Sequence, residues 1–473
     1  MTEEFAAPLW SSHAIAKAVG GQANGEFRAS GVAFDSREVG PGDLFVAMRG
    51  EQADGHDYIA KAFANGAAGV ICEREVTGGP CIIVEDSAAA LEALGIASRT
   101  RSEAVIIGVT GSAGKTGTKE ALHQALDRIP SRSAHRSVKS YNNHVGVPLS
   151  LSRMPETSEF AVLEMGMNHA GELSALTKMV RPNIAIVTTV ASAHIEFFDS
   201  EADIARAKAE IFEGLEPGGT AIIPYDNVHY PILYKKAEDY ADKIITFGAS
   251  SEADCHIVDQ LPAMDGGTLV TAMLNGELLV YRIAQPGEHW VMNSLAVLAA
   301  VQAAGGDLAV AGLALAEMGG LAGRGARNMV AIADGEALVI DESYNANPAS
   351  MRVTLGDLGL TKADRKVAIL GSMKELGDKS DDYHAALDSV IIASGVSQCL
   401  LVGDEMKILA DRLSNSLEYK GQVAHVTSSS QALDWCRSVL CPGDAILVKG
   451  SNSLGLGSVV KALANDVLAG EDA

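Results

Sequence analysis

The sequence predicts an α/β protein built from three domains. Three observations carry that prediction: a length of 473 residues, strongly apolar strands that alternate with helices, and a Gly-rich break near residue 320. Domains usually run ~100 to 200 residues, so this length accommodates about three cores. Residues 1–103 combine short β-type runs (GVAFDS, DLFVAMRG, AGVICE, CIIVED) with helices expected near residues 57 to 66 and 87 to 100, and form a small N-terminal α/β domain. In residues 104–320 the strands AVIIGVTG, FAVLEMG, NIAIVTTV and GTAIIP are almost continuously apolar, which calls for cover on both faces and so for a mostly parallel sheet. The segments TGTKEALHQAL and EADIARAKAEIFEGL supply covering helices. Residues 254–283 alternate instead, with glycine interruptions, and read as a local antiparallel insertion; WVMNSLAVLAAVQAAGG then closes this central domain. After the linker EMGGLAGRGARN, residues 321–473 alternate EALVIDES, KVAILGS, CLLVGD, VAHVTS and DAILVKGS with helices, a doubly wound, Rossmann-like pattern.

Composition narrows the function. A formal charge of −23 disfavours nucleic acid as a partner, because a phosphate backbone would be repelled and no basic patch offsets the charge. An anionic small molecule remains admissible, held by local cations, backbone amides or metal. The acidic start MTEEFAAPLW and the lack of any apolar run near the roughly 20 residues of a membrane span predict no signal peptide, no membrane insertion and a cytoplasmic location. Cys72, Cys81, Cys255, Cys399, Cys436 and Cys441 include no C-x-x-C pair, and most lie in apolar stretches. Reduced core thiols are expected rather than zinc ligands.

The sharpest chemical signal is VIIGVTGSAGKTGTKEAL, an apolar strand that runs through a glycine loop into a helix. Glycine lets backbone amides approach phosphate closely, the helix N-terminus receives oxyanions, Lys115 neutralises charge and the Thr116 hydroxyl is suited to Mg²⁺. Thr110, Gly111, Ser112, Ala113, Gly114, Lys115, Thr116 and Gly117 are therefore read as a nucleotide phosphate site, with Val109 standing where a strict G-x-x-x-x-G-K-[ST] loop has glycine. Glu164 ends a strand at the same sheet edge and could ligate Mg²⁺. His194 follows another strand end, where an ordinary loop histidine is the plainer reading. Lys208 sits among acidic residues on a helix, and spacing alone favours a solvated lysine.

The ordered run TGSAGKT, SYNNHVGVPLSL, LEMGMNHAGEL, TTVASAHIEFF with AKAEIF, GEHWVMN, IDESYNANPASM, LGSMKELG and LVKGSNS resembles the Mur ligase family over essentially the whole chain. DSREVGPGDLFVAMRG, near the start, resembles the UDP-muramoyl-binding domain of that family. The resemblance implies ATP as substrate, two Mg²⁺ ions, and a reaction centre between the domains. It assigns ATP phosphates to Lys115 and Thr116, metal to Thr116, Glu164, His194 and Lys208, and carbamylation by CO₂ to Lys208, which would turn a cation into an oxygen ligand. It assigns adenine to Asn293, ATP phosphate to Arg324 or its neighbour Arg327, and ribose or a metal-bound water to Glu342. Ser36 and Arg37 match the uridine-nucleotide motif, and Asn142 and Asn143 the loop facing the muramoyl peptide. Loop capping is the alternative reading for these amides and hydroxyls. Two departures stand out: Asp341–Glu342 replaces a pair of aspartates, and Gly117 replaces a Ser or Thr.

SYNANP resembles the branch that adds D-alanyl-D-alanine, with Asn345 and Asn347 framing the dipeptide, and no D-N-P-R of other branches occurs. The implied partners are a UDP-N-acetylmuramoyl tripeptide, its third residue open between meso-diaminopimelate and L-lysine, and D-alanyl-D-alanine, joined by a monomeric ligase through an acyl phosphate. A relative adding another amino acid, or a nucleotide-dependent switch without catalysis, is the competing reading.

Overall fold

A computed structural model describes residues 8–50, 53–129, 132–263, 267–332 and 335–465. Among these residues the chain forms three principal sheets. The N-terminal sheet runs Gln22–Asn24, Cys81–Ile83, Gly69–Cys72, Asp43–Val46, Gly31–Ala33, with only its first pair antiparallel. The two expected helices of this region are Ile59–Ala64, entered through a 3₁₀ turn at Gly55–Tyr58, and Ser87–Arg101.

The central sheet has the order Glu277–Ile283, Thr268–Leu274, Cys255–Pro262, Lys243–Gly248, Thr220–Pro224, Ile184–Val187, Val105–Thr110, Phe160–Glu164, Ala134–Arg136. Its continuous apolar strands follow from burial on both faces: Ile107 and Val109 enter one core beneath Lys115–Asp127 and Glu288–Ala303, and Ile106 enters the other beneath Glu172–Val180 and Glu201–Ala209. The antiparallel residues form three strands that extend this sheet at its edge. Their outward positions Leu261, Leu269, Leu278 and Val280 are exposed, which explains the alternation. Strand Val105–Thr110 lies between Phe160–Glu164 and Ile184–Val187, so successive connections leave it in opposite directions. Such a switch point opens a crevice at the strands' carboxyl ends.

The C-terminal sheet runs Ala326–Ile332, Gly335–Glu342, Asp444–Lys449, Arg365–Gly371, Gln398–Val402, Gln422–Val426, antiparallel only in its first pair. It is doubly wound, with a buried core on each face. Register places Glu342 beside Lys449 at the carboxyl edge. Among the described residues no helix is long and apolar enough to cross a membrane.

Candidate active site

The phosphate loop leaves strand Val105–Thr110 and enters helix Lys115–Asp127, whose N-cap, Gly114, offers no side-chain hydrogen bond to the first amides. Those amides remain for an anion. Gly111 and Gly114 adopt φ of 149 and 82. A Cβ on Gly111 would lie 1.9 Å from Thr188 Oγ1 and one on Gly114 2.8 Å from Asn293 Nδ2, so close approach and backbone conformation both require glycine. The contact at Gly114 also brings Asn293 to the loop. Gly117 has a packing cause: a Cβ there would stand 2.9 Å from Trp290 Cη2, so the indole occupies the room a Ser or Thr would take. Thr110 Oγ1, buried beneath the loop, has no hydrogen-bond partner among the described residues.

Lys115 Nζ donates to Gly111 O at 2.6 Å. Burial lowers its pKa, the Glu164 carboxylate opposes that shift and Arg324 adds to it. Thr116 Oγ1 donates to Glu164 Oε2 at 2.9 Å, and Asn142 Nδ2 to Glu164 Oε1 at 2.8 Å. Glu164 is 1% exposed, with the Lys119 ammonium 3.9 Å from Oε2. Thr116 and Glu164 thus present two oxygen donors at one point, which fits Mg²⁺ with phosphate oxygens completing its shell.

Lys208 departs from the solvated reading, since it is 1% exposed. It stands with Ile204 and Ile211 on the buried face of its helical segment, a spacing that gives the signal in the sequence. Among the described residues its ammonium has neither acceptor nor carboxylate. Burial drives its pKa far down, and Lys115 repels it further. An ammonium beside a bound cation would be repelled, whereas a carbamate would offer it oxygen ligands. His194 lies in the left-handed region, φ 60, and its Nδ1 meets Glu375 Oε2 of the C-terminal domain.

The linker arginines separate. Arg324 stacks over the Tyr344 ring at 4.1 Å and donates to Ser140 Oγ at 3.4 Å, next to Thr116. Arg327 turns to Thr361 and lines a small cavity with His289, Trp290, Glu342 and Asp357. The Asp341–Glu342 pair also divides: both Asp341 oxygens are spent, on Gly323 N at 2.7 Å and on Ser343, while Glu342 faces Lys449 Nζ at 3.5 Å.

Other expected residues serve locally. Asn347 caps helix Pro348–Leu360 through Ser350 N at 2.8 Å and reaches Ser112 O at 3.5 Å, and Asn143 accepts from Gly146 N at 2.9 Å. Asn345 is exposed, and its amide nitrogen has no partner among the described residues. The Ser36 carbonyl takes Asn65 Nδ2 at 2.7 Å, and Arg37 pairs with Asp35 at 2.6 Å, far from the phosphate loop in sequence. Residues 139–142 gather these threads. Tyr141 OH donates to Glu38 Oε1 at 2.9 Å and Lys139 pairs with the same oxygen, while Ser140 and Asn142 reach Thr116, Arg324 and Glu164. Ser140, Lys119, Tyr344, Glu375 and Lys449 escape the sequence reading. Lys119 lies four residues after Lys115 on the same helix, and the other four stand inside segments that carry the family resemblance without being singled out there. A cavity of about 310 Å³ beside Glu92, Arg99 and Lys178 contains none of these residues.

The cavity beside Arg327 yields a stability prediction. Burial raises the Asp357 pKa to about 6, Arg327 opposing and Glu342 and Glu288 reinforcing. The folded chain holds this proton more tightly than the unfolded one, so the stabilisation is full below the ordinary carboxylate pKa and is lost as pH rises through about 6. Asp357→Asn should therefore be more stable than the parent by about 1 to 3 kcal/mol near pH 8, and little changed near pH 4. Calorimetry at both pH values checks this, and equal stability near pH 8 refutes it.

Family models match in chain order: the Mur ligase family catalytic domain over residues 28–138, the Mur ligase middle domain over 109–301, and the Mur ligase, glutamate ligase domain over 327–452. The UDP-N-acetylmuramoyl-tripeptide–D-alanyl-D-alanine ligase of Rickettsia prowazekii is 32% identical over 459 residues, 96% of this chain and 99% of the relative. That of Escherichia coli is 30% identical over 93% of this chain and 96% of the relative. Among solved structures, MurF from Acinetobacter baumannii superposes with a TM-score of 0.81 at 27% identity, covering 97% and 99% of the two chains. MurF ligase from Thermotoga maritima in complex with ADP gives 0.75 at 26%, covering 93% and 98%. With the phosphate loop, the three sheets and these matches in one order along its length, the chain belongs to the Mur ligase family.

Proposed function

We propose that the chain joins D-alanyl-D-alanine to UDP-N-acetylmuramoyl tripeptide at the expense of ATP, completing the pentapeptide precursor of peptidoglycan. The observation that carries the reading is the meeting at residues 139–142, where Glu38 of the N-terminal domain, Thr116 and Glu164 of the ATP-binding sheet, and Arg324 of the linker are all within reach of one segment. A three-substrate ligase requires such a junction. The reading divides the chain into residues 1–103 for the UDP-muramoyl substrate, 104–320 for ATP and 321–473 for the dipeptide, in a cytoplasmic monomer.

A carboxylate is a poor electrophile, so it must first be activated. The tripeptide's terminal carboxylate attacks the γ-phosphorus of ATP, the bond to the bridging oxygen breaks with its electron pair leaving on ADP, and an acyl phosphate forms. The dipeptide amine attacks the acyl carbon, loses a proton, and the tetrahedral adduct expels phosphate. Lys115, the loop amides and Arg324 stabilise charge on the transferring phosphoryl group. Two Mg²⁺ ions, held by Thr116, Glu164, His194 and carbamylated Lys208, would neutralise the phosphate oxygens. Ser36 and Arg37 would bind the uridine nucleotide, Asn142 and Asn143 the muramoyl peptide, and Asn293 and Glu342 the nucleoside. Docking of the C-terminal domain excludes water that would hydrolyse the acyl phosphate.

Phosphate release that needs ATP, tripeptide and dipeptide together, with the pentapeptide seen by mass spectrometry, tests the reading. Release from ATP alone at the same rate would overturn it in favour of a switch. Lys115→Ala should lower turnover by about 10²-fold, some 3 kcal/mol of lost charge stabilisation. Parent-like turnover in steady-state assays would remove Lys115 from phosphoryl transfer.

A further inference from the structure

His194 and Glu375 meet across the cleft between the central and C-terminal domains, 181 residues apart in sequence. Both are non-glycine residues held at positive φ, 60 and 62. Backbone in this region persists only where its surroundings impose it. Here they do. Glu196 N donates to Glu375 O at 3.3 Å, Gly377 closes against Glu196, and on the far side of the same loop Met373 N donates to His384 Nε2 at 2.9 Å while Lys374 pairs with Glu405. The Glu375 side chain is 40% exposed and the His194 side chain 24% exposed, so neither is a core-packing residue.

The contact uses one ring nitrogen of His194. A neutral imidazole that meets a carboxylate through Nδ1 donates Nδ1–H and keeps its lone pair on Nε2, and no protein group takes Nε2 among the described residues. A carboxylate on one imidazole nitrogen fixes the tautomer and ring orientation and makes the other a better metal ligand. Resting on the reading of His194 as a ligand of the second Mg²⁺, we propose that Glu375 is a positioning residue. It holds Nδ1–H so that Nε2 faces the cation. The cation site of the central domain is thereby complete only while the C-terminal domain is docked. Glu375 touches neither substrate nor metal.

Mn²⁺ titration of the full chain with ADP and bicarbonate, read from the electron paramagnetic resonance of the free ion, tests this without turnover. The parent should bind two ions. Glu375→Ala should weaken the second by about tenfold or more and leave the first unchanged. Glu375→Gln, whose amide oxygen still accepts Nδ1–H, should stay within about threefold of the parent on the same scale. In a His194→Ala chain the second ion should already be weak, and adding Glu375→Ala should change nothing further. Two parent-like affinities in Glu375→Ala, or an equal loss on adding it to His194→Ala, would overturn the inference while leaving His194 a ligand. Two parent-like affinities in His194→Ala would overturn the ligand reading and the inference together.

Discussion

Lys208→Ala should lose roughly 10³-fold in turnover, because a ligand oxygen would disappear beside the phosphates at a cost of about 4 kcal/mol in stabilised charge. At 1% exposure, with no acceptor among the described residues, burial and repulsion by Lys115 lower the Lys208 pKa and so shift the side chain toward the neutral amine. Only that form reacts with CO₂: nitrogen donates its lone pair to carbon, one C–O π pair moves to oxygen and nitrogen releases a proton, leaving a carbamate. The folded site thus favours the species needed for the modification and disfavours the ammonium that would repel Mg²⁺. Acetate or another short carboxylate should restore part of the lost activity to Lys208→Ala, and removing CO₂ should slow the parent but not the variant. Undiminished turnover of Lys208→Ala in CO₂-free buffer would refute the carbamate.

Strand Val105–Thr110 was legible because a parallel strand buried on both faces must be apolar at every position, and the loop after it was legible because its function lies in backbone and glycine placed consecutively. The cap at Asn347 was also written locally, as Asn before Pro at a helix start. The family resemblance of SYNANP also assigns this residue to the dipeptide, and capping the helix does not exclude that role. Contacts made across the fold leave no such trace. Ser140 and Arg324 are 184 residues apart and Lys139 and Glu38 are 101 apart, and no periodicity joins them. The burial of Lys208 was partly visible, since Ile204, Lys208 and Ile211 share one helix face, but a lysine on an apolar stripe is outweighed by the charges around it until the facing sheet is known. The Asp341–Glu342 pair could not be divided from sequence either. It takes the linker amide of Gly323, brought back onto the strand end, to spend Asp341, while Glu342 faces Lys449.

D-alanyl-D-alanine should be used in preference to D-alanine by roughly 10⁴-fold in kcat/KM, because a site built to hydrogen-bond a polar group is left with unpaired donors when the group is missing. A single amino acid lacks the peptide bond and places its carboxylate one residue closer to the reacting amine. Asn345 would be suited to this task. Its amide nitrogen has no partner among the described residues, whereas its side-chain oxygen takes Ala346 N at 2.8 Å and its carbonyl takes the buried Lys449 at 2.9 Å, so backbone and side chain are both held while the amide donors stay available. Asn347 has no such freedom. Asn345→Ala should therefore reduce use of the dipeptide by about 10-fold or more with ATP affinity unchanged, the loss of a hydrogen bond to a charged acceptor. Asn347→Ala should cost about 1 kcal/mol of stability through its cap. Product mass spectrometry and rates with D-alanyl-D-alanine, D-alanine, meso-diaminopimelate and L-lysine measure the discrimination. If a free amino acid is joined as fast as the dipeptide, the assignment to the dipeptide-adding branch falls, and ATP-dependent amide ligation of the wider family is what remains.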